Sequence, residues 1–240
     1  QDCEDVWGGL AVIDICGICG GDNDCEGVDC TNNTSDYCQD LSVLQGFIDN
    51  SQGGDNPPPY DLSPLDLGHQ IWENGRLVYF CISNQYWHGF CKEEYNLSGD
   101  FPNNISNWSE ISTLSIFEQA FSDSLPTDIF NLTNLTELKL VNYNLIGEIP
   151  SSIENLTNLE VFDLRSNVSG EIPSEIGNLT NLWFLDLSSN QLTGEIPSEI
   201  GILTNLSFLH LGSNYFTGEI PVEIGQLTNL TYLNFGGNQL

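Results

Sequence analysis

Positive charge is nearly absent from this chain. Four Lys+Arg stand against 34 Asp+Glu in 240 residues, a formal net charge of −30. That balance excludes a nucleic-acid partner, because phosphates need cations to displace their counterions. It excludes docking on an anionic membrane for the same reason. Long apolar runs are missing too. No stretch reaches the about 18 apolar residues of a membrane-crossing helix. Met is absent, and the chain opens Gln1-Asp2-Cys3 with neither a basic start nor an apolar run. That opening reads as a processed mature end, so an extracellular or cell-surface setting is expected. Salt or bound cations would relieve the self-repulsion of so acidic a chain, which suits the same setting. A catalytic constellation is also lacking. His69, His88 and His210 are far apart in sequence, and no nucleophile motif or phosphate loop occurs. No enzyme activity is expected. What remains is a hydrophobic fraction of 40%, enough for a core.

Three segments follow. Residues 1–38 hold Cys3, Cys16, Cys19, Cys25, Cys30 and Cys38 and no Lys or Arg. The stretch is too Gly-rich and short to bury a core. Cys16-x-x-Cys19 with Cys25 and Cys30 suits either a zinc site or disulfides. An even count, no neighbouring His and an extracellular setting favour disulfides, of unassigned pairing. Asp22, Asn23 and Asp24 after a Gly pair offer the oxygen ligands of a Ca²⁺ loop, the only cofactor expectation; a solvated acidic turn is the plainer reading. Residues 39–96 form a cap region. Leu41, Val43, Leu44, Phe47 and Ile48 recur at helical spacing, and Gly53 through Pro59 end that pattern.

Residues 97–240 repeat. Pro102, Pro126, Pro150, Pro173, Pro197 and Pro221 are separated by 24, 24, 23, 24 and 24 residues. A fixed period in the twenties is the signature of a solenoid. One period reads Leu182-x-x-Leu185-x-Leu187-x-x-Asn190-x-Leu192-x-Gly194-x-Ile196-Pro197. Leu-x-Leu is a short strand with its leucines turned inward. The Asn satisfies backbone groups at the turn, and the Gly permits a tight bend. The stretch around Ile196-Pro197 is too broken for an α-helix, so a second edge or 3₁₀ turns should form the outer side.

The pattern resembles leucine-rich repeats of the 24-residue plant extracellular type, seen as Leu-Thr-Gly-Glu-Ile-Pro-Ser-Glu-Ile-Gly at 192–201. The Cys16-Gly17-x-Cys19-Gly20-Gly21-Asp22-Asn23 stretch resembles a motif of secreted marine microbial proteins. The first resemblance implies an α/β-type, curved, right-handed solenoid with a parallel concave sheet, a ligand or partner to bind, and no catalysis. Departures are visible. Gln119 and Tyr143 replace the Asn, Asp123 replaces the Gly, and the repeat at Asn167 is one residue short. The Asn ladder should therefore be regular only from Asn190 through Asn214 to Asn238. Cys81 and Cys91 bracket an insertion, and their expected disulfide would pin Tyr86-Trp87-His88-Gly89 as a loop or cap.

Alternation places three columns on the concave face. They are Thr113, Glu137, Val161, Phe184, Phe208, Tyr232; then Ser115, Lys139, Asp163, Asp186, His210, Asn234; then Phe117, Val141, Arg165, Ser188, Gly212, Gly236. Phe184, Phe208 and Tyr232 should form an exposed row of touching rings, the candidate ligand site together with Asp186, His210 and Arg165. Lys139 and Arg165 should pair with Asp163 and Asp186 as weak exposed ion pairs. Glu148, Glu171, Glu195 and Glu219, and likewise Asp128, Glu175, Glu199 and Glu223, should form solvated acidic columns. Sequons occur at Asn32, Asn33, Asn96, Asn104, Asn107, Asn131, Asn134, Asn155, Asn167, Asn178, Asn205 and Asn229. In a eukaryote they would carry glycans, although several arise automatically from the repeat.

The expected function is recognition or adhesion, binding a protein or glycan through the solenoid. The alternative is a fibre or surface layer built by homo-assembly, because the last repeat reads as uncapped around Leu230, Leu233 and Phe235. A third is ice or mineral binding by the Thr133, Thr157, Thr180, Thr204, Thr228 column.

Overall fold

In the computed structural model each repeat closes into one turn of a solenoid. The structure describes residues 30, 35–83, 91–93, 95–121, 124–141 and 144–240. Tyr143, Asp123, the 86–89 loop and most of residues 1–38 lie outside them.

The chain enters through helix α1 (Asp36–Asn50). Ser35 caps its start by accepting a hydrogen bond from the Cys38 N–H at 3.4 Å. The apolar spacing read from the sequence is its buried face: Val43, Leu44, Phe47 and Ile48 are fully covered. The helix begins before the 38/39 division drawn from composition, so Cys38 is helical and is joined to Cys30.

The strands are β1 (His69–Glu73), β2 (Arg76–Ser83), β3 (Lys92–Glu93), β4 (Ser98–Gly99), β5 (Thr113–Phe117), β6 (Ala120–Phe121) and β7 (Glu137–Val141). They continue as β8 (Val161–Arg165), β9 (Ser169–Gly170), β10 (Phe184–Asp186), β11 (Gln191–Leu192), β12 (Phe208–His210) and β13 (Tyr232–Asn234). The main sheet runs β1-β2-β5-β7-β8-β10-β12-β13, with β3 also on β2. From β2 onward it is parallel. Its first pair differs from the all-parallel expectation: β1 and β2 form an antiparallel hairpin. Asn74 and Gly75 at its turn have φ of 50° and 72°. An Asn-Gly pair is the residue choice such a turn requires, and the sequence carried that signal.

The outer side holds 3₁₀ segments at Thr127–Asn131, Ser151–Asn155, Ser174–Asn178, Ser198–Ile202 and Val222–Gln226. Each starts after a proline whose carbonyl accepts from the Ile three positions on, as in Ile176 N to Pro173 O at 3.0 Å. Proline fixes the entry φ and needs no partner for an N–H it lacks. Short pairs β4–β6 and β9–β11 form the second edge.

The core is one continuous column of apolar side chains. Leu138, Phe162, Leu185 and Leu209 are fully buried and stand in register from strand to strand. Beneath α1, Phe47 meets Phe80, Phe101, Trp108 and Phe121 at centroid distances of 5.6–6.0 Å. A buried ion pair locks the helix to the first long strand. The Arg76 guanidinium donates to both Asp40 carboxylate oxygens, at 2.9 and 3.1 Å. Asp40 also accepts from the Leu77 N–H at 2.8 Å. Nothing in the sequence pattern announced this pair.

Candidate functional site

The solenoid lays out its own concave surface, because each strand repeats the one before it in register. The first column runs Thr113, Glu137, Val161, Phe184, Phe208, Tyr232 and extends back to Tyr79 on β2. Phe184 and Phe208 stack with centroids 4.4 Å apart and planes within 9°. Phe208 and Tyr232 do so at 4.3 Å and 5°. This separation follows the interstrand spacing of about 4.8 Å. Phe184 and Phe208 are half-buried and Tyr232 is exposed, so the row is less open than alternation implied. The stacking has a chemical consequence. Phe208, the middle ring, spends both faces on its neighbours and offers solvent its edge, the positive rim of the aromatic quadrupole.

Beside the rings runs the polar column. The Arg165 guanidinium donates to both Asp163 oxygens, at 2.7 and 2.8 Å, and its Nε lies 3.8 Å from Asp186 Oδ2. His210 Nδ1 lies 3.4 Å from the same Asp186 oxygen. The expected weak surface pairs are therefore corrected: the Asp163 and Asp186 side chains are only 5% and 8% exposed, so these carboxylates are held in the sheet. Lys139 stands beside Asp163 in register, but its ammonium turns to Glu137 at 2.6 Å. Burial pushes the Asp163 carboxyl above the usual carboxylate range, and Arg165 opposes that shift.

The third column is closed at its N-terminal end. Phe117 and Val141 form a small buried cluster with Cys81, against Tyr79 and Cys91. Cys81 is disulfide-bonded to Cys91. That closure concerns the third column; in the first two, Glu137 and Lys139 on β7 are half-buried, as are Phe184, Phe208 and His210 further on, and the ring ladder with its polar row occupies the stretch from β8 to β13.

Other sequence-derived positions find structural roles. Asn190 Oδ1 accepts from Ser166 N and Val168 N, at 2.9 and 3.2 Å. Asn214 and Asn238 repeat the bond with Leu192 N and Phe216 N, both at 3.0 Å. Gln119 takes the ladder position early, accepting from Leu97 N and donating to Phe117 O. In the short repeat Asn167 is turned outward, where Gln191 Nε2 donates to it at 3.5 Å, and Ser166 is buried in its stead.

The glutamate columns are more than solvated charge. A Cβ on Gly194, which has φ +76°, would lie 2.8 Å from the Glu171 stem. Each such Gly is the floor on which the previous repeat's Glu lies. Among the described residues no group of His, Cys, Asp or Glu is arranged to hold a metal ion. The Asp22, Asn23, Asp24 loop, Cys3, Cys16, Cys19, Cys25, Asn32 and Asn33 lie outside the described residues. Of the sequons, Asn134, Asn205 and Asn229 each donate to a backbone carbonyl of the preceding repeat at 2.8 Å.

Residues 133–192 match a family described as Leucine rich repeat, and residues 205–227 match a second model of that description. The repeat region of the chain is thus built of leucine-rich repeats of the plant type. No curated protein matches it at a significant level. Among solved structures, the chain is similar to the leucine-rich repeat ectodomain of the receptor kinase GASSHO1/SCHENGEN3 from Arabidopsis thaliana, solved in complex with CASPARIAN STRIP INTEGRITY FACTOR 2. They share 43% identity over 62% of this chain and 18% of that one, with a TM-score of 0.59. It is similar to the Arabidopsis receptor kinase HAESA in complex with the peptide hormone IDA and the co-receptor SERK1, at 40% identity over 61% and 24% of the two chains, TM-score 0.58. A plant ice-binding protein is 26% identical over 86% of this chain and 72% of that one, TM-score 0.61. This leucine-rich repeat chain thus spans 18% and 24% of the two receptor ectodomains.

Proposed function

We propose that this leucine-rich repeat chain is an extracellular ligand-binding domain that takes an extended protein segment along the concave stretch from β8 to β13. The observation that carries the reading is the ring ladder Phe184, Phe208, Tyr232 beside the Asp186–His210–Asn234 row. Sugars dock on aromatic faces, and here the inner faces are stacked away. Ring edges instead favour carbonyl and carboxylate oxygens and the edges of other apolar side chains. A peptide supplies both. HAESA, similar in the repeats, is solved with a peptide hormone, which supports the same reading. Among the described residues no helix is long and apolar enough to cross a membrane.

The test is a panning of the folded chain against a library of random extended peptides, followed by hydrogen-exchange mapping with a recovered peptide. Protection confined to β8–β13 supports the reading. Protection confined to the 3₁₀ side contradicts it.

One observation favours a second reading. Thr133, Thr157, Thr180, Thr204 and Thr228 are exposed. The neighbouring Asn158, Asn181, Asn205 and Asn229 amides are fixed by donating to the carbonyls of Thr133, Thr157, Thr180 and Thr204 at 2.8–2.9 Å. This is a rigid, regularly spaced hydroxyl array on one flank, and a plant ice-binding protein is similar along most of the chain. Inhibition of ice recrystallisation that is lost on Thr157→Val plus Thr180→Val would establish this reading; no inhibition by the native chain would remove it.

A further inference from the structure

The polar row of the proposed site contains a group whose protonation state can be read from its partners. Gly236 N donates to Asn234 Oδ1 at 2.8 Å. A backbone N–H is always a donor, so the orientation of the Asn234 amide is fixed: its oxygen faces Gly236. Its Nδ2 then faces His210 Nε2, 3.0 Å away, and Tyr232 Oη, 3.3 Å away. An amide NH₂ can only donate. His210 Nε2 must therefore accept, and the ring proton sits on Nδ1, toward Asp186 Oδ2 at 3.4 Å. The arrangement is complete with a neutral imidazole.

Protonation of His210 breaks that consistency. Nε2–H would then face the NH₂ of Asn234, donor against donor. Rotating the amide cures this contact and creates another, because NH₂ would then face the Gly236 N–H. No orientation of Asn234 satisfies both neighbours of a charged His210. The groups facing the ring are few. Asp186 lies on β10, with Arg165 and Asp163 behind it on β8. Phe208 and Tyr232 contact the ring edge-on, at 6.3 and 5.7 Å. Asp186 is itself engaged: its Oδ1 accepts from Ser188 N at 2.9 Å. A charged His210 would draw Asp186 Oδ2 closer and compete there with Arg165.

We propose that His210 is a proton-operated latch on the concave face. Neutral, it holds Asn234, Tyr232 and the Gly236 N–H in one hydrogen-bonded set. Charged, it releases the Gly236 N–H on the floor of the proposed binding stretch, while the Tyr232 hydroxyl, able to donate or accept, serves either orientation of Asn234. Histidine is the side chain suited to change charge between pH 5 and 8. The latch deepens the ligand-binding reading by naming its regulation, yet it concerns the chain alone and is tested without any ligand.

The experiment is an NMR titration of the isotope-labelled chain from pH 8 to pH 5. The expected result is that the Gly236 backbone amide and the Asn234 side-chain amide shift with one shared midpoint, the same as that of the His210 ring, and that Gly236 loses hydrogen-exchange protection on the acid side. In His210→Gln both shifts should vanish, with unchanged Asn190 and Asn214 amide signals reporting an intact ladder. In Asn234→Asp, whose two oxygens can serve Gly236 and a charged His210 together, Gly236 should stay protected at both ends. Shifts of Gly236 that persist in His210→Gln, or a Gly236 amide unmoved while the His210 ring titrates, would overturn the latch. Neither outcome bears on whether peptides bind.

Discussion

At the scale of single residues, the buried polar groups carry most of the specificity. Asn214 donates to Leu187 O and Leu211 O, at 2.8 and 3.2 Å, and accepts from Leu192 N. Removing it leaves buried backbone groups of two repeats without partners, each worth about 1–3 kcal/mol. Asn214→Ala should therefore destabilise the chain by about 3 kcal/mol in urea unfolding, whereas Asn205→Ala, at an exposed amide, should cost under about 1 kcal/mol. A second expectation concerns acid. Burial is the largest influence on Asp40 and Asp163 and raises both, against the pull of Arg76 and Arg165. A carboxyl that holds its proton more tightly folded than unfolded favours the folded state in acid. That contribution is fully present below the unfolded value of about 3.9 and is lost as pH rises through the raised folded value. Stability of the native chain should thus decline with rising pH across that window. Asp163→Asn should flatten the slope; an unchanged slope would contradict the assignment.

At the scale of elements, close repeat stacking is set by glycines where two 3₁₀ segments meet. A Cβ on Gly201 would lie 2.5 Å from Glu223 Cβ and 2.6 Å from its carbonyl oxygen. Gly201→Ala must push neighbouring repeats apart and should cost about 1–3 kcal/mol. Gly225, the equivalent position one repeat on, meets nothing within 4 Å. Gly225→Ala should be neutral or stabilising by up to about 1 kcal/mol. Equal losses at both sites, by thermal or urea unfolding, would refute the stacking argument. The repeat itself was legible because proline spacing, Leu-x-Leu alternation and the Asn position report purely local constraints. The register of Phe184, Phe208 and Tyr232 followed from counting. The Asp40–Arg76 lock was not legible, since it joins positions 36 residues apart with no shared period. The closure of the concave face at Phe117 and Val141 was equally hidden, because alternation says which way a side chain points and not what covers it. The short repeat was read correctly as a defect, but only the structure shows Asn167 turned out and Ser166 turned in.

At the scale of the whole molecule, the charge imbalance takes on a shape. All four cations lie on strands of the main sheet, Arg76 on β2, Lys92 on β3, Lys139 on β7 and Arg165 on β8, and Arg76, Lys139 and Arg165 are each bound to a neighbouring acid. Glutamates repeat in register along the other side, their stems resting on glycines of the next repeat. The concave sheet therefore repels a carbonyl-rich peptide less than the glutamate-lined side does, on a chain of net charge −30. The central claim is that this stretch binds an extended peptide through ring edges. Its most direct test is calorimetric titration of a library-selected peptide into the native chain and into Phe184→Ala plus Phe208→Ala. Loss of affinity by tenfold or more in the double variant, with its thermal unfolding still cooperative, is the predicted result. Undiminished affinity in a folded double variant would contradict the account.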